Sequence, residues 1–164
     1  SEEKTQVSKN DAVVEPTNEN EAKQEVAEPP KGLEQEEPDK EWPADVIAGI
    51  AKTPCFGTCP VYEFRLNQDL TAQLEAQQFT DITGNFTTTI TRSQKDALFS
   101  KMREVDYFSL DESYNGPVTD LPSVFLVFSD MGRTHKVHAR FETPEELNEF
   151  ITFFETWIFS LDWK

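Results

Sequence analysis

From Asp45 onward, apolar and polar residues alternate along the chain in short runs, which is the pattern of half-buried β-strands. Turn-forming residues such as those at 67–69 separate neighbouring runs, so these strands are expected to form hairpins. Val124–Phe128 is apolar at every position, which predicts a central strand that is covered on both faces. The predicted strands lie at 45–50, 61–66, 70–77, 84–90, 124–128 and 134–141.

Two later stretches carry apolar residues at helical spacing. The first is expected to begin at Ser93, with Asp96 three residues on as its capping partner, and to end near Tyr107 or Phe108. These boundaries place one helix between the fourth and fifth predicted strands.

The second helix has the strongest local signal, Thr143-Pro144-Glu145-Glu146. Thr143 is the predicted N-cap, Pro144 the first helical residue and Glu146 the partner in a capping box. The predicted order is thus β-β-β-β-α-β-β-α. Short turns favour antiparallel pairing, so we expect an α+β fold, a mainly antiparallel sheet with two packed helices.

Residues 1–42 lack this pattern, and the aromatic residues begin only at Trp42. This segment has 13 acidic and 5 basic residues, a net charge of -8, and residues 43–164 contribute the other half of the total of -16. Its composition predicts a disordered acidic tether with a reach of roughly 35–40 Å, in front of a single domain at 43–164. A charged, solvated helix over part of residues 19–27 is the alternative.

The acidic charge bears on the class of partner. A net charge of -16 repels nucleic-acid backbones and anionic lipid headgroups, so we expect no nucleic-acid partner and no polybasic membrane patch. The chain begins at Ser1 rather than Met, so we expect that a signal segment has been removed. Membrane attachment would then need a lipid anchor absent from this chain, such as a Cys just before Ser1.

The two cysteines, Cys55 and Cys59, are separated by three residues. In an extended chain their positions would lie about 13 Å apart, beyond the reach of a disulfide. Gly57 permits a sharp turn between them, and Pro54 and Pro60 keep the flanking strands out of it. This arrangement favours a small loop closed by a disulfide, as is typical of an oxidising compartment.

Three other interpretations of the cysteines remain open. A reactive dithiol would differ from the thioredoxin spacing, which has two intervening residues. A metal site would need further ligands, but His135 and His138 are three apart on a strand and point to opposite faces. The third interpretation is a pair of inert thiols. We expect neither a metal nor a cofactor.

The run Cys55–Phe64 (CFGTCPVYEF) resembles the Cys-x-Gly-x-Cys-Pro-x-Tyr signature of the bacterial domain of unknown function 6438 family. Tyr114 followed by Thr119-Asp120-Leu121-Pro122, and a C-terminal helix trailed by Trp163, agree with it. The resemblance extends over about Val46 to Trp163. The chain departs from the family at residues 67–70, where an Asp-Gly turn is expected.

The resemblance implies a bacterial cell-envelope protein, in the periplasm or at the outer membrane, often of lipoprotein type, and it implies no activity. The leading hypothesis is therefore a non-catalytic binding or structural module, rather than an enzyme, with a protein or an envelope component as its partner. One alternative is a thiol-disulfide redox protein that uses Cys55 and Cys59. The other is a ligand binder or hydrolase with its pocket near Tyr114 and Asp120.

Tyr62, Tyr114 and Asp120 are the candidate ligand contacts. For Asp120 the competing interpretation is a turn cap before the central strand. Tyr62 alternates with apolar residues, so we expect it in the core with its hydroxyl hydrogen-bonded near the cysteine loop. His138 lies on the predicted polar face and is expected in solvent, whereas His135 is expected as a core residue with its polar atoms satisfied.

Overall fold

The computed structural model describes residues 39–118 and 120–164. The disorder predicted for residues 1–42 therefore falls almost wholly outside the described residues. The strands are β1 (Val46–Lys52), β2 (Val61–Asn67), β3 (Thr71–Gln78), β4 (Gly84–Thr89), β5 (Ser113–Tyr114), β6 (Val124–Asp130) and β7 (Arg133–Ala139). The helices are α1 (Arg92–Glu104) and α2 (Glu145–Phe159), with a 3-10 turn at Tyr107–Ser109. The α+β fold and the predicted order are confirmed, and the two-residue strand β5 is an addition.

The strands form one sheet in the order β4-β3-β2-β1-β6-β7-β5. Every neighbouring pair is antiparallel except β5 and β7, which run parallel. The first strand is the central one, because Ile50 pairs with Phe64 on one side and with Leu126 on the other. The chain therefore builds outward from the middle of the sheet in both directions.

The antiparallel register brings several loops to one end of the sheet. Lys52 at the end of β1 pairs with Tyr62 near the start of β2 and with Val124 at the start of β6. Val124 in turn pairs with Ala139, the last residue of β7. The loops at 53–60 and 79–83, and the described residues of the loop at 115–123, consequently lie side by side. We call this the cysteine-loop end of the sheet.

Both helices lie on one face of the sheet, and the core lies between them. Phe64 on β2 makes edge-on ring contacts with Phe154 and Trp157 on α2, with centroids 5.7 and 5.8 Å apart. Phe128 on β6 contacts Phe99 of α1 at 5.4 Å in the same way. Burying each such side chain stabilises the fold by about 1.5–3 kcal/mol, so this layer supplies the main driving force for folding.

The described residues cover the second face of the sheet at its centre. Phe125 and Val127 are buried, as are Leu126 and Phe128 on the helix side, so the strand expected to be covered on both faces is confirmed. A Cβ atom on Gly49 would lie 2.5 Å from the ring of Trp42, so only glycine fits under that indole. Residues predicted to belong to the tail thus contact the sheet.

The N-cap of the first helix lies two residues earlier than expected. Thr91 is its N-cap, and its hydroxyl accepts a hydrogen bond from the Gln94 amide while the Gln94 side chain accepts one from the Thr91 amide. The cap predicted at Ser93 with Asp96 is therefore wrong. The helix ends at Glu104, and the chain then forms the 3-10 turn at the point where the longer helix was expected to finish.

The second helix lacks the predicted side-chain cap. Its N-cap is Pro144, which has an extended backbone and whose carbonyl accepts from the amides of Leu147 and Asn148. The hydroxyl of Thr143 instead donates to the side-chain oxygen of Asn148, because Thr143 lies one residue too far from the helix. The capping box with Glu146 is thus wrong, although the acidic first turn still suits the helix dipole.

The β2–β3 hairpin forms without the Asp-Gly turn of the family pattern. Leu70 takes the left-handed conformation, with φ of 71°, that a glycine would adopt there. The Asp69 carboxylate accepts from the backbone amide of Thr71 at 3.0 Å and from its hydroxyl at 2.6 Å. These bonds lower the pKa of Asp69 below its usual value and fix the turn from its polar side.

Candidate functional site

The two cysteines form a disulfide that closes the loop between β1 and β2. Their Cα atoms lie 5.8 Å apart, and Gly57 between them has φ of +141°, a conformation that favours glycine. The predicted disulfide-closed loop is confirmed. In this bonded state neither sulfur is a free thiol or an available metal ligand.

The cysteine-loop end of the sheet exposes large apolar side chains. Phe56, at the tip of the disulfide loop, is 83% exposed. Three more exposed apolar residues lie on the adjacent loops: Phe79, Val118 and Leu121. We call these four residues the apolar rim. Elsewhere in the described part of the chain, Met131 is the remaining large exposed apolar residue, and it lies in the turn at the opposite end of the sheet.

A cleft of about 500 Å³ lies beside the disulfide loop, between the β3–β4 turn and the C-terminal half of α2. It is lined by Pro60, Phe79, Thr80, Asp81, Glu155, Thr156, Phe159 and Ser160. Phe79 has φ of 57°, an unfavourable conformation for an aromatic residue. A second cleft at the start of α2 is lined only by polar and acidic residues, including Thr143 and Glu149.

Behind the first cleft lies a cluster of three polar side chains. Lys52 Nζ is 3.0 Å from Glu155 Oε2, so β1 and α2 are joined by an ion pair. Tyr62 is 1% exposed, and its ring meets that of Phe159 edge-on with centroids 5.3 Å apart. Within residues 39–118 and 120–164 its hydroxyl makes no hydrogen bond of ordinary geometry. The core position is as expected, and the hydroxyl has only a contact with Glu155 that falls short of a regular hydrogen bond.

The environment of Tyr62 disfavours its ionised form. Burial is the main cause and the neighbouring Glu155 carboxylate adds to it, so the pKa of Tyr62 lies far above its usual range. The phenol is therefore protonated at neutral pH, where it can donate or accept a hydrogen bond.

On the second face of the sheet, Ser123 and His138 form a buried pair that the sequence did not reveal. His138 Nε2 lies 2.8 Å from Ser123 Oγ, and its ring stacks on Phe125 with centroids 4.5 Å apart. Ser123 also exchanges hydrogen bonds with Thr53, next to the disulfide loop. His138 is only 6% exposed, so its predicted position in solvent is wrong. The reason is that the Phe125 ring stacks on it and Ser123 bonds its Nε2.

The Ser123–His138 pair has the spacing of a nucleophile and its general base, but not the access that such a pair needs. Ser123 has no exposed surface, so a substrate could not reach its hydroxyl. The pair instead ties together the end of β1, the start of β6 and the end of β7. The two residues are 15 apart in sequence, and no motif connects them.

His135 occupies the core side of β7, as expected. Its Nε2 lies 2.8 Å from the Leu110 carbonyl oxygen, and its ring lies edge-on to Tyr107 at 5.5 Å. His135 and His138 therefore lie on opposite faces of the sheet.

The three candidate ligand contacts do not come together. The hydroxyl of Tyr114 accepts from the Asp111 amide at 2.9 Å, and its carbonyl oxygen accepts from the amides that follow β7. Asp120 is exposed in the loop before β6. Tyr62 lies on β2, four strand spacings from β5, or about 19 Å. Neither of the two clefts described above is lined by Tyr114 or Asp120.

Comparison with known proteins places the chain in a family. The model of the family described as Domain of unknown function (DUF6438) matches residues 48–158. The chain belongs to the DUF6438 family. No curated protein and no solved structure shows a significant match to it.

The match confirms the resemblance drawn from the cysteine motif. It covers most of the DUF6438 domain, from β1 almost to the end of α2, and so includes the disulfide, the Ser123–His138 pair and most of the cleft. In the part of the chain that the structure describes, no helix is long and apolar enough to cross a membrane. No cluster of three or more His, Cys, Asp or Glu side chains there is arranged to hold a metal.

Proposed function

We propose that this DUF6438 domain is a non-catalytic binding module of the bacterial cell envelope, and that the cysteine-loop end of the sheet is its binding surface. The observation that carries the proposal is the apolar rim, centred on Phe56 and gathered at one end of the sheet. Exposed apolar patches on small domains commonly mark interaction sites. Its partner would be a protein or an envelope component.

The disulfide suits this role because it restricts the loop that carries Phe56. A side chain presented from a preformed loop loses less conformational entropy on binding than one on a free loop. Aromatic residues in such positions often supply much of the binding energy. A disulfide of this kind also persists best in an oxidising compartment, which supports the envelope location.

The test uses two variants with matched exposure. Phe56→Ser and Met131→Ser each replace an apolar side chain that is 83% and 84% exposed, respectively, but at opposite ends of the sheet. Envelope fractions of the source bacterium would be passed over immobilised wild-type and variant domains, and the retained components quantified by mass spectrometry. We expect components held by the wild type and by Met131→Ser to be lost with Phe56→Ser.

Equal retention by all three proteins would contradict the proposal. Intact mass after alkylation, before and after reduction, tests the envelope location separately. Natively purified protein should take up no alkylating agent until it is reduced, whereas rapid modification of one cysteine at neutral pH would favour a redox protein.

A further inference from the structure

The cleft beside the disulfide loop has an unbalanced charge. Two carboxylates line it, Asp81 and Glu155, and no basic residue does. Glu155 is neutralised by Lys52, which does not line the cleft. Asp81 has no ion pair or hydrogen bond with any residue in 39–118 or 120–164, so the cleft retains about one uncompensated negative charge.

The remaining walls of the cleft are aromatic and apolar. Phe79 is more than half exposed at one side, Phe159 lies at the other, and Pro60 leads out of the disulfide loop between them. Phenyl rings attract cations over their faces, and they also bury alkyl chains. The Asp81 carboxylate and the rings of Phe79 and Phe159 together suit a cation that carries an apolar chain.

We propose that this cleft binds an alkylammonium group, meaning a protonated primary amine at the end of an apolar chain. The inference rests on the proposed function, since it names the ligand chemistry at one side of the same binding surface. The ammonium group would lie between Asp81 and Glu155, and the stem against Phe79 and Phe159. The two carboxylates would repel an alkyl carboxylate, and a neutral alcohol would not neutralise the charge of Asp81.

Tyr62 is the buried group next to the acidic wall of the cleft. Its hydroxyl is buried next to Glu155, which lines the cleft, and its contact with that carboxylate falls short of a hydrogen bond of ordinary geometry within the described residues. Buried polar groups are rarely left unpaired except where a function needs them. An ammonium that draws the Glu155 carboxylate away from Lys52 would change its contact with the Tyr62 hydroxyl, so Tyr62 would act as a positioning residue.

The probes for this inference are hexylammonium, hexanol and hexanoate, titrated into the full chain at pH 7 with amide NMR as the readout. Hexylammonium should shift the amides of residues 79–81 and 155–160 saturably, with hexanol at least about tenfold weaker and hexanoate inactive. Equal binding of hexanol and hexylammonium would overturn the inference, as would no saturable shift with hexylammonium.

The variants identify the groups that bind the cation. Asp81→Asn should weaken hexylammonium binding about threefold to tenfold, and Phe79→Ala by a similar factor. Asp162→Asn is the matched control, because Asp162 is an exposed carboxylate beyond α2 and outside the cleft. Unchanged affinity in Asp81→Asn, or equal weakening in Asp162→Asn, contradicts the assignment. Tyr62→Phe should weaken hexylammonium and leave the weak hexanol binding unchanged.

A second arm distinguishes a free amine from the side chain of a protein. Acetyl-Leu-Lys-Leu-amide presents the same ammonium on a lysine stem. Tighter binding of the peptide than of hexylammonium supports the inference with a protein lysine as the source, and weaker binding supports it with a free amine. If the domain does not bind amines but still captures components through Phe56, only this inference is overturned. If it binds amines but captures nothing through Phe56, only the proposed partner surface is overturned.

Discussion

Two buried tyrosines in this domain differ in a single hydrogen bond. The Tyr107 hydroxyl donates to the His135 carbonyl oxygen at 2.8 Å, whereas the Tyr62 hydroxyl has no such bond. We expect Tyr107→Phe to lower the free energy of unfolding by about 0.5–1.5 kcal/mol, the usual contribution of one hydrogen bond. Tyr62→Phe should cost less than this, since the Tyr62 hydroxyl has only a weaker contact with the Glu155 carboxylate. Urea denaturation at pH 7 measures both, and a larger loss in Tyr62→Phe would contradict this reading of the site.

The same pair predicts the alkaline limit of stability. Burial raises the pKa of Tyr62 and of Tyr107 above the ordinary value of 10.0. Their contribution is fully present below about pH 10 and is lost as pH rises further, because the unfolded chain ionises there and the folded domain does not. Each tyrosine should lower the free energy of unfolding by about 1.4 kcal/mol for every pH unit above that point. Stability measured from pH 8 to 11 should fall less steeply in Tyr62→Phe than in the wild type.

The buried Ser123 hydroxyl should contribute measurably to stability. Ser123→Ala removes the hydroxyl that bonds His138 Nε2 in a buried position, and should cost about 1–3 kcal/mol of stability. Ser129→Ala is its control, because the Ser129 hydroxyl bonds Thr134 at the exposed end of the same two strands. Thermal or urea unfolding of the two variants gives the comparison. Similar small effects in both would show that the Ser123–His138 bond contributes little.

Single residues also show where the sequence could not reveal the structure. The period-2 pattern places His138 on the polar face of β7, and that assignment of face is right. Whether the face is in solvent depends on Phe125 and on a loop from elsewhere in the chain. Tyr62 was predictable as a core residue from its apolar neighbours, but its missing hydrogen bond depends on where α2 places Glu155.

Among the secondary-structure elements, the start of α1 shows that a residue suited to capping is not always the residue that caps the helix. Thr91 and Ser93 are both plausible caps in sequence, but the structure uses Thr91 in a reciprocal capping box with Gln94. Thr91→Ala should therefore lower the free energy of unfolding by about 1 kcal/mol, whereas Ser93→Ala should change it by less than about 0.5 kcal/mol. Chemical denaturation of both variants tests this. A larger effect at Ser93 would place the start of α1 later.

The long strands were predictable because each presents alternating residues to one buried face, as in Tyr62, Phe64 and Leu66 of β2. Strand β5 was not, because two residues are too short for any periodicity and its parallel pairing with β7 is a tertiary contact. The cleft was also beyond prediction. It exists only because α2 packs beside the β3–β4 turn, which brings Glu155 and Asp81 together from 74 positions apart in sequence.

In the whole molecule, the folding core and the proposed binding surface consist of different residues. The core residues lie between the helices and one face of the sheet, and neither Cys55 nor Cys59 is among them. The disulfide therefore closes a surface loop rather than joining parts of the core. The loss of this link is expected to affect the loop far more than the fold.

Cys55→Ser/Cys59→Ser tests that separation. Closing so short a ring restricts the unfolded chain by about 2 kcal/mol, so the double variant should lose about that much stability. It should still fold, with core amides such as those of Phe64 and Phe128 at unchanged chemical shifts and altered shifts confined to the loops at the cysteine-loop end. Because the apolar rim depends on the loop conformation, partner capture should fall as far as in Phe56→Ser. Unfolding of the double variant would show that the disulfide supports the core, and full capture without it would show that Phe56 acts independently of the constraint.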